Sequence, residues 1–271
     1  GIIMTRTLLN TLVCLFSVVV FAPAVQADAT LTMKDAGGKM DSVIEVKGHM
    51  LRMSTPGQPD YMLYDAQRDM VIHVSSSERQ YMEVDRASMQ EMANSMARVQ
   101  QEMAPQIAQM REQLKNLPPE QRAMIEQRMG GMANFGAMET TSPVKVTTVK
   151  RGSDKIAGFK CQRYDVMNDT TRVGDVCVAT QADAGMSKAD FSTVSSGMKF
   201  MRDMAAGVEK LSAGMGGPPM SMGDIEGVPV SAKDLQNGHE FRLVSVSDDA
   251  LDEARFTEYR SLKKRALPKM H

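Results

Sequence analysis

The feature that most constrains the fold is a series of five β-rich runs between residues 29 and 85. They are rich in β-branched and aromatic residues, and turn-forming Gly, Pro and Ser separate them. The runs are ATLTMKD (29–35), DSVIEVKGHMLRMST (41–55), YMLYD (61–65), DMVIHVSS (69–76) and RQYMEVD (79–85). Strands that recur at a spacing of about ten residues indicate an antiparallel meander, in which each strand pairs with the next.

Two cysteines, Cys161 and Cys177, flank a second β-rich segment that reads CQRYDVMNDTTRVGDVC. Two alternating runs around Asn168-Asp169 predict a β-hairpin. If its turn is centred on Asp169, the two cysteines lie directly opposite each other. Their face then carries Arg163, Asp165 and Asp175, and the other face is apolar, with Tyr164, Val166, Val176 and Val178. We therefore predict a disulfide, which stabilises the fold by about 3 kcal/mol in the chain-entropy model.

The first helical insertion is predicted at residues 86–130. Ser88 and Glu91 fit a capping box, which marks a helix start. The pattern predicts a helix to about Met103, a break near Pro105 and a continuation to about Lys115. A further helix is expected between Pro118 and Gly130.

A second helical insertion is predicted at residues 187–212. Its apolar residues recur at alternating steps of three and four, which is typical of one helix face. They are Phe191, Val194, Met198, Met201, Ala205 and Val208. A loop over 212–224 and two last strands, within 227–234 and 239–249, are expected to follow.

These elements predict an α+β fold, because an antiparallel sheet must bury one face and the amphipathic helices are its natural cover. We expect a curved open antiparallel sheet, a half-barrel, wrapped around the helical insertions. Residues 28–260 are expected to form this single domain, and residues 261–271 a basic tail that is frayed or bound to the surface.

Residues 1–27 have the pattern of a secretory signal peptide. Arg6 precedes an apolar run that is too short to span a bilayer, and Val25-Gln26-Ala27 fits a cleavage site. Cys14 lies inside the apolar run, which argues against its lipidation. The remaining sequence has no run of about 18 apolar residues, so we expect an exported protein that does not span the membrane.

The 26 methionines of the 271 residues are the compositional anomaly. Met89, Met96, Met103 and Met110 are spaced by two helical turns, about 10 Å along the axis, so two of them cannot share one ion. Such a stripe is typical of core filler. It also fits a deformable wall around an apolar ligand, because methionine is flexible and polarizable. The candidate ligand-binding residues are Met89, Met92, Met96, Met103, Ile107, Met110, Met198 and Met201.

Alternatives for the methionines are oxidation bait and a soft-metal site, because thioethers bind Cu(I) and Ag(I). The more closely spaced sets are Met89/Met92/Met96, Met198/Met201 and Met220/Met222. The chain lacks the common nucleophile, zinc, phosphate-loop and dinucleotide motifs, which predicts no catalytic activity and no cofactor. A net charge of -1 argues against nucleic acid as a partner.

Three segments carry a family resemblance: residues 149–179, the mid-chain LPPEQRAMIEQRMGG (117–131), and the closing GVPV and NGHEFRLVSVS (227–247). With them the chain resembles a domain-of-unknown-function family of exported Gram-negative proteins. That family is similar to the periplasmic lipoprotein carriers of the LolA/LolB-like class. The resemblance implies a curved antiparallel sheet that encloses helices around an apolar cavity, and it implies no reaction.

The leading hypothesis is a non-catalytic periplasmic protein that binds a lipid, an acyl chain or a lipidated peptide between its sheet and its methionine-rich helices. The alternatives are a Cu(I)/Ag(I)-binding protein and a module that docks onto another envelope protein.

Overall fold

The computed structural model describes residues 28–37, 41–115, 146–212, 225–236 and 238–267. The predicted signal peptide, the helix expected between Pro118 and Gly130, and Met220 and Met222 all lie outside the described residues.

The first six strands form the predicted meander. They are β1 (Ala29–Asp35), β2 (Ser42–Lys47), β3 (Met50–Ser54), β4 (Tyr61–Asp65), β5 (Met70–Ser75) and β6 (Gln80–Asp85). Each pairs with the next in antiparallel fashion. The Gly, Pro and Ser clusters therefore mark turns, as the sequence predicts.

Six more strands complete one open sheet. They are β7 (Val146–Ile156), β8 (Phe159–Asn168), β9 (Thr171–Ala179), β10 (Val228–Asp234), β11 (Glu240–Ser247) and β12 (Lys263–Lys264). The strand order is β12-β6-β5-β4-β3-β2-β1-β11-β10-β9-β8-β7. The late hairpin β10–β11 thus lies between β1 and β9 and joins the meander to the cysteine hairpin. The predicted α+β class with an open, mainly antiparallel sheet is confirmed.

Helix α1 spans Arg86–Lys115 without the predicted break at Pro105. Residues 101–106 are exposed, so water can bond the carbonyl that proline leaves unpaired. The predicted Ser88 cap is also wrong, because the Ser88 N–H donates to Oδ1 of Asp85 at 2.7 Å. Asp85 caps the helix, and its hydrogen bonds with Ser88 hold the pKa of that carboxyl below its usual range.

Helix α2 spans Lys188–Ser212 and begins where the sequence predicts. The Ser187 hydroxyl accepts the Asp190 N–H at 3.1 Å and donates to the Asp190 carboxylate at 2.5 Å. A short helix α3 (Ala254–Thr257) and a 3-10 helix (Glu258–Ser261) follow the last hairpin.

The central strands are covered on both faces. On the helix-covered face, Leu51, Tyr64 and Val71 join Val194 and Phe200 of α2 in the main core. On the opposite, tail-covered face, a second core contains Phe256 of α3 and Tyr259 of the 3-10 helix, packed with strand residues. The strand residues of this second core are Met50, Tyr61, Leu63, Ile72 and Val74. Coverage on both faces explains why β4 and β5 are almost continuously buried.

A buried carboxylate fixes α3 to the sheet. Glu45 is 4% exposed and accepts hydrogen bonds from Arg52 at 2.9 Å and from Arg255 at 2.8 Å. The Arg52 guanidinium also lies over the Tyr61 ring, 4.2 Å from its centroid. Because two arginines compensate it, the carboxylate can be buried, and it aligns α3 with β2 and β3.

The Cys161–Cys177 disulfide joins β8 and β9, as predicted. The predicted register is wrong by two residues, because Arg163 and not Cys161 lies opposite Cys177. The hairpin turns at Asp169-Thr170, and a bulge lies just before the turn, between Val166 and Met167. The bridge therefore runs diagonally.

The predicted division of the hairpin into two faces is confirmed. Arg163 and Asp175, on the cysteine face, form an ion pair at 3.3 Å. The opposite face carries an apolar cluster of Tyr164, Val166, Val173, Val176 and Val178, with neighbours from β7 and β10.

The two edges of the sheet differ. At one edge β12 pairs parallel to β6, with Lys263 N–H donating to Arg79 O and Arg265 N–H to Tyr81 O. The basic segment that begins at residue 261 is thus hydrogen-bonded to the sheet as far as Arg265. At the other edge β7 carries a bulge between Lys150 and Ser153. Bulges and charges of this kind discourage pairing with other chains.

Candidate functional site

The helix-covered face of the meander is built from cross-strand rows of directly opposed residues. The row under α2, here called the covered row, consists of Val46, Leu51, Tyr64, Val71 and Val84. Helix α2 approaches it closely at Gly197. A Cβ there would lie 3.1 Å from Cδ1 of Tyr64 and 3.3 Å from Cδ1 of Leu51. The lack of a side chain at Gly197 therefore lets α2 lie on this row.

Two further contacts set the direction of α2 across the sheet. The Thr193 hydroxyl donates to Gly48 O at 2.8 Å, in the turn between β2 and β3. Two turns further on, the Phe200 ring packs against Tyr64, with 5.5 Å between centroids. The helix thus runs from the β2–β3 turn toward the end of β6, where α1 begins.

Arg86 joins the two helices at that point. Its Nη1 donates to Asp203 of α2 at 2.6 Å, its Nε donates to Asp69 of the β4–β5 turn, and its guanidinium lies over the Phe200 ring. Hydrogen bonds from Arg86 hold the pKa values of both Asp69 and Asp203 below their usual range. Asp69 also accepts the Tyr64 hydroxyl at 2.9 Å, so this group ties α1 to the sheet and to α2.

The next row along the strands, here called the methionine row, is not fully covered. It consists of Ile44, Met53, Met62, His73 and Met82. Met53 and Met62 are half-buried and pack against the main core, Met82 is half-buried, and His73 is exposed. Two residues along a strand span about 7 Å, so this partly open row lies directly beside the covered one.

Among the methionines predicted to bind ligand, Met89 of α1 and Met198 and Met201 of α2 are half-buried and pack against the main core. Met92 is half-buried, and Met103 is 44% exposed. The side chains of Met96, Ile107 and Met110 are not among the described ones. Met89, Met198 and Met201 thus border the same core as the methionine row, whereas Met103 is open to solvent.

An open groove of about 690 Å³ runs along a different face of α1. It is lined by Ala87, Gln90, Glu91, Asn94, Ala97 and Arg98. The predicted ligand-binding residues do not line this groove, so it is distinct from the methionine-lined border.

The sequence reasoning missed the sheet's own contribution. Met53, Met62 and Met82 are far apart in the chain and become neighbours only through strand pairing. The available signal was the register of the meander. Once the turns at residues 56–57 and 66–69 are placed, Met53, Met62 and His73 follow as direct neighbours.

Within the described ranges, no three His, Cys, Asp or Glu side chains come together as a metal site. Over the same ranges, no helix combines the length and apolar character needed to cross a bilayer.

No family model matches the chain, and no curated protein does. Among solved structures, it is similar to the crystal structure of an uncharacterized conserved protein from Thermus thermophilus. The two have 8% sequence identity and a TM-score of 0.39, over 90% of this chain and 92% of that one. This likeness assigns no function.

Proposed function

We propose that the protein is an exported, non-catalytic binding protein that holds an apolar ligand beside α2, on the helix-covered face of the sheet. The ligand class is a lipid, an acyl chain or a lipidated peptide. The observation that carries the proposal is the set of half-buried methionines from α1, α2 and the sheet that border one core.

Methionine suits such a border because its unbranched side chain can repack around guests of different shape. A half-buried thioether also gives up little hydration when a ligand covers it. The covered row gives the site a rigid floor, since Leu51, Tyr64 and Val71 are at most 3% exposed. A firm floor with a deformable border is the arrangement expected for ligands that vary in length.

The proposal includes a periplasmic location and a lipoprotein-carrier-like architecture, in which the open sheet bends around the helices. The Cys161–Cys177 disulfide supports export, because disulfides persist in oxidising compartments. The signal-peptide pattern of residues 1–27 agrees with this.

The direct test is mass spectrometry of the protein released gently from cells, together with titration of the delipidated protein with a fluorescent fatty acid. We expect a copurifying lipid and saturable binding of the fatty acid. If neither is observed, the proposal is wrong.

A paired substitution locates the site. Met198→Gln together with Met201→Gln keeps the length of both side chains but makes the border polar. Fatty-acid affinity should fall about tenfold, which corresponds to about 1.4 kcal/mol. The control is Met70→Gln, on the tail-covered face, which should leave affinity unchanged. If the double variant and the Met70→Gln control lose the same fatty-acid affinity, general destabilisation is the cause.

A further inference from the structure

The methionine row places a histidine between two methionines. His73 of β5 lies directly opposite Met62 of β4 on one side and Met82 of β6 on the other. Met53 of β3 lies opposite Met62 and extends the row. No single stretch of the sequence signals this arrangement, because each side chain comes from a different strand.

The spacing suits convergence on a single ion. Directly opposed side chains of an antiparallel pair have Cβ atoms about 4.5–5.5 Å apart. The Cβ atom of His73 is therefore one strand spacing from those of Met62 and Met82, and both methionine side chains are long enough to reach toward the imidazole. An ion bound above His73 can then contact one nitrogen and two sulfur atoms.

The three side chains are accessible. His73 is exposed, and Met62 and Met82 are half-buried. Within the part of the chain that the structure describes, the His73 imidazole has no hydrogen bond or ion pair. His49 differs, because its Nε2 lies 3.9 Å from Asp65. The imidazole of His73 is thus free to act as a ligand.

We propose that Met62, His73 and Met82 form a binding site for one soft monovalent cation, Cu(I) or Ag(I). Thioether and imidazole ligands select soft metals, whereas Mg²⁺ and Ca²⁺ require oxygen ligands. The adjacent covered row is apolar, so the charge of the ion is met by the ligand dipoles and water. Binding involves no change of oxidation state and leaves the disulfide intact.

Met62 belongs both to this cation site and to the methionine border of the proposed apolar-ligand site, whereas His73 and Met82 belong to the cation site alone. The three ligands of the cation site come from the sheet, whereas the substitutions that test fatty-acid binding are on α2. Loss of one function therefore does not imply loss of the other.

The test uses Ag(I), which needs no reductant, in a chloride-free buffer. The protein is the whole chain with Cys14→Ser, so that no free thiol competes. With methionine methyl groups labelled for NMR, one equivalent of Ag(I) should shift the Met62 and Met82 methyl signals and the His73 ring signals. Assignment follows from Met62→Leu and Met82→Leu, which keep bulk and remove sulfur.

Three variants complete the test. Valine is chosen at position 73 because it suits an exposed strand position. His73→Val and Met82→Leu, made separately, should each lower Ag(I) affinity about tenfold or more, since even indirect partners of metal ligands contribute about 10–100-fold. Met70→Leu, on β5 but on the opposite face, should bind as the parent does. The proposal is overturned if Ag(I) shifts only other methionines, if His73→Val binds normally, or if no binding occurs in the micromolar range. If a variant fails to fold, the Ag(I)-induced shifts of the Met62, His73 and Met82 signals in the parent protein still test the proposal.

Discussion

The two long helices have similar sequence patterns but very different surroundings. In α2, Val194, Gly197 and Phe200 are buried on the covered row. Helix α1 is 30 residues long, about 45 Å, and contacts mainly α2 and the adjoining strand β6. Its apolar residues Val99 and Met103 are 36% and 44% exposed. A periodic apolar face therefore predicts a helix, whereas strand order decides what that face packs against.

The largest expected difference between the helices concerns burial. Phe200→Ala should lower the free energy of unfolding by about 3–5 kcal/mol, because it removes a ring that is 1% exposed and leaves a cavity against Tyr64. Met103→Ala on α1 should change it by less than about 0.5 kcal/mol. Urea unfolding of both variants measures this. Similar losses would mean that α1 is as deeply packed as α2.

The second largest effect is expected at Arg86, which joins α1 to α2. Arg86→Ala removes contacts to Asp69, Asp203 and Phe200 and should lower the free energy of unfolding by about 1 kcal/mol, a modest value because these charged side chains are more than one-third exposed. Hydrogen exchange should become faster in α1 and remain slow in α2. Uniform acceleration in both helices would show that α1 is not held separately.

The ion pairs of Arg86 also predict that the free energy of unfolding depends on pH. Arg86 lowers the pKa values of Asp69 and Asp203 in the folded protein, so their contribution is present above the unfolded value of about 3.8 and is lost as pH falls through the lowered values. The stability difference between the parent and Arg86→Ala should therefore shrink in acid. Unfolding free energies measured from neutral pH downward check this, and a constant difference would contradict it.

The pKa of Asp190, in the first turn of α2, is shifted in the opposite direction to those of Asp69 and Asp203. It is 1% exposed, and its Oδ1 has no hydrogen-bond partner among the described residues. Burial raises the pKa of this carboxyl. Because the pKa of this carboxyl is higher in the folded protein, its contribution to stability is complete below the ordinary pKa of 3.8. That contribution is lost as pH rises through the raised pKa.

Asp190→Asn removes this titration. The stability of this variant relative to the parent should rise as pH increases from about 4 to neutrality, because only the parent must ionise a buried carboxyl. Parallel unfolding titrations of the two proteins would show it. Asp183→Asn, a substitution at an exposed position before the helix, is the control and should track the parent.

The smallest expected effect on global stability comes from Pro105→Ala. Restoring the missing N–H should slow hydrogen exchange locally in the second half of α1, because proline costs a helix interior about 3 kcal/mol. The global unfolding midpoint should not move, since residues 101–106 are exposed. A clear rise in the midpoint would show that the distal half of α1 is part of the cooperative core.

Local signals in the sequence predicted much of this fold. The strand runs, the start of α2, the disulfide and the two faces of its hairpin all follow from residues that are close in the chain. The errors lie where two local signals competed. Asp85 and Ser88 both fit a helix cap, and the Asp85 carboxylate accepts the hydrogen bond. The bulge between Val166 and Met167 shifted a register that had been inferred from the turn alone.

The site was less predictable because it depends on distant pairings. The α2 methionines are recognisable by helical spacing. The same spacing does not include Phe200 in the apolar face, although Phe200 is more deeply buried than Met198 or Met201. Predicting the methionine row requires the register of five strands at once. Strand register is a tertiary property, and neither hydrophobic periodicity nor composition encodes it directly.

The position of the β10–β11 hairpin has a consequence for how this protein is made. Strand β1 precedes every other described strand, yet its second neighbour, β11, comes almost at the end of the described chain. Until β11 arrives, a growing chain exposes an unsatisfied sheet edge that can pair with other chains. Non-local pairing of this kind slows folding, so β1 gains its second neighbour only after the last hairpin emerges.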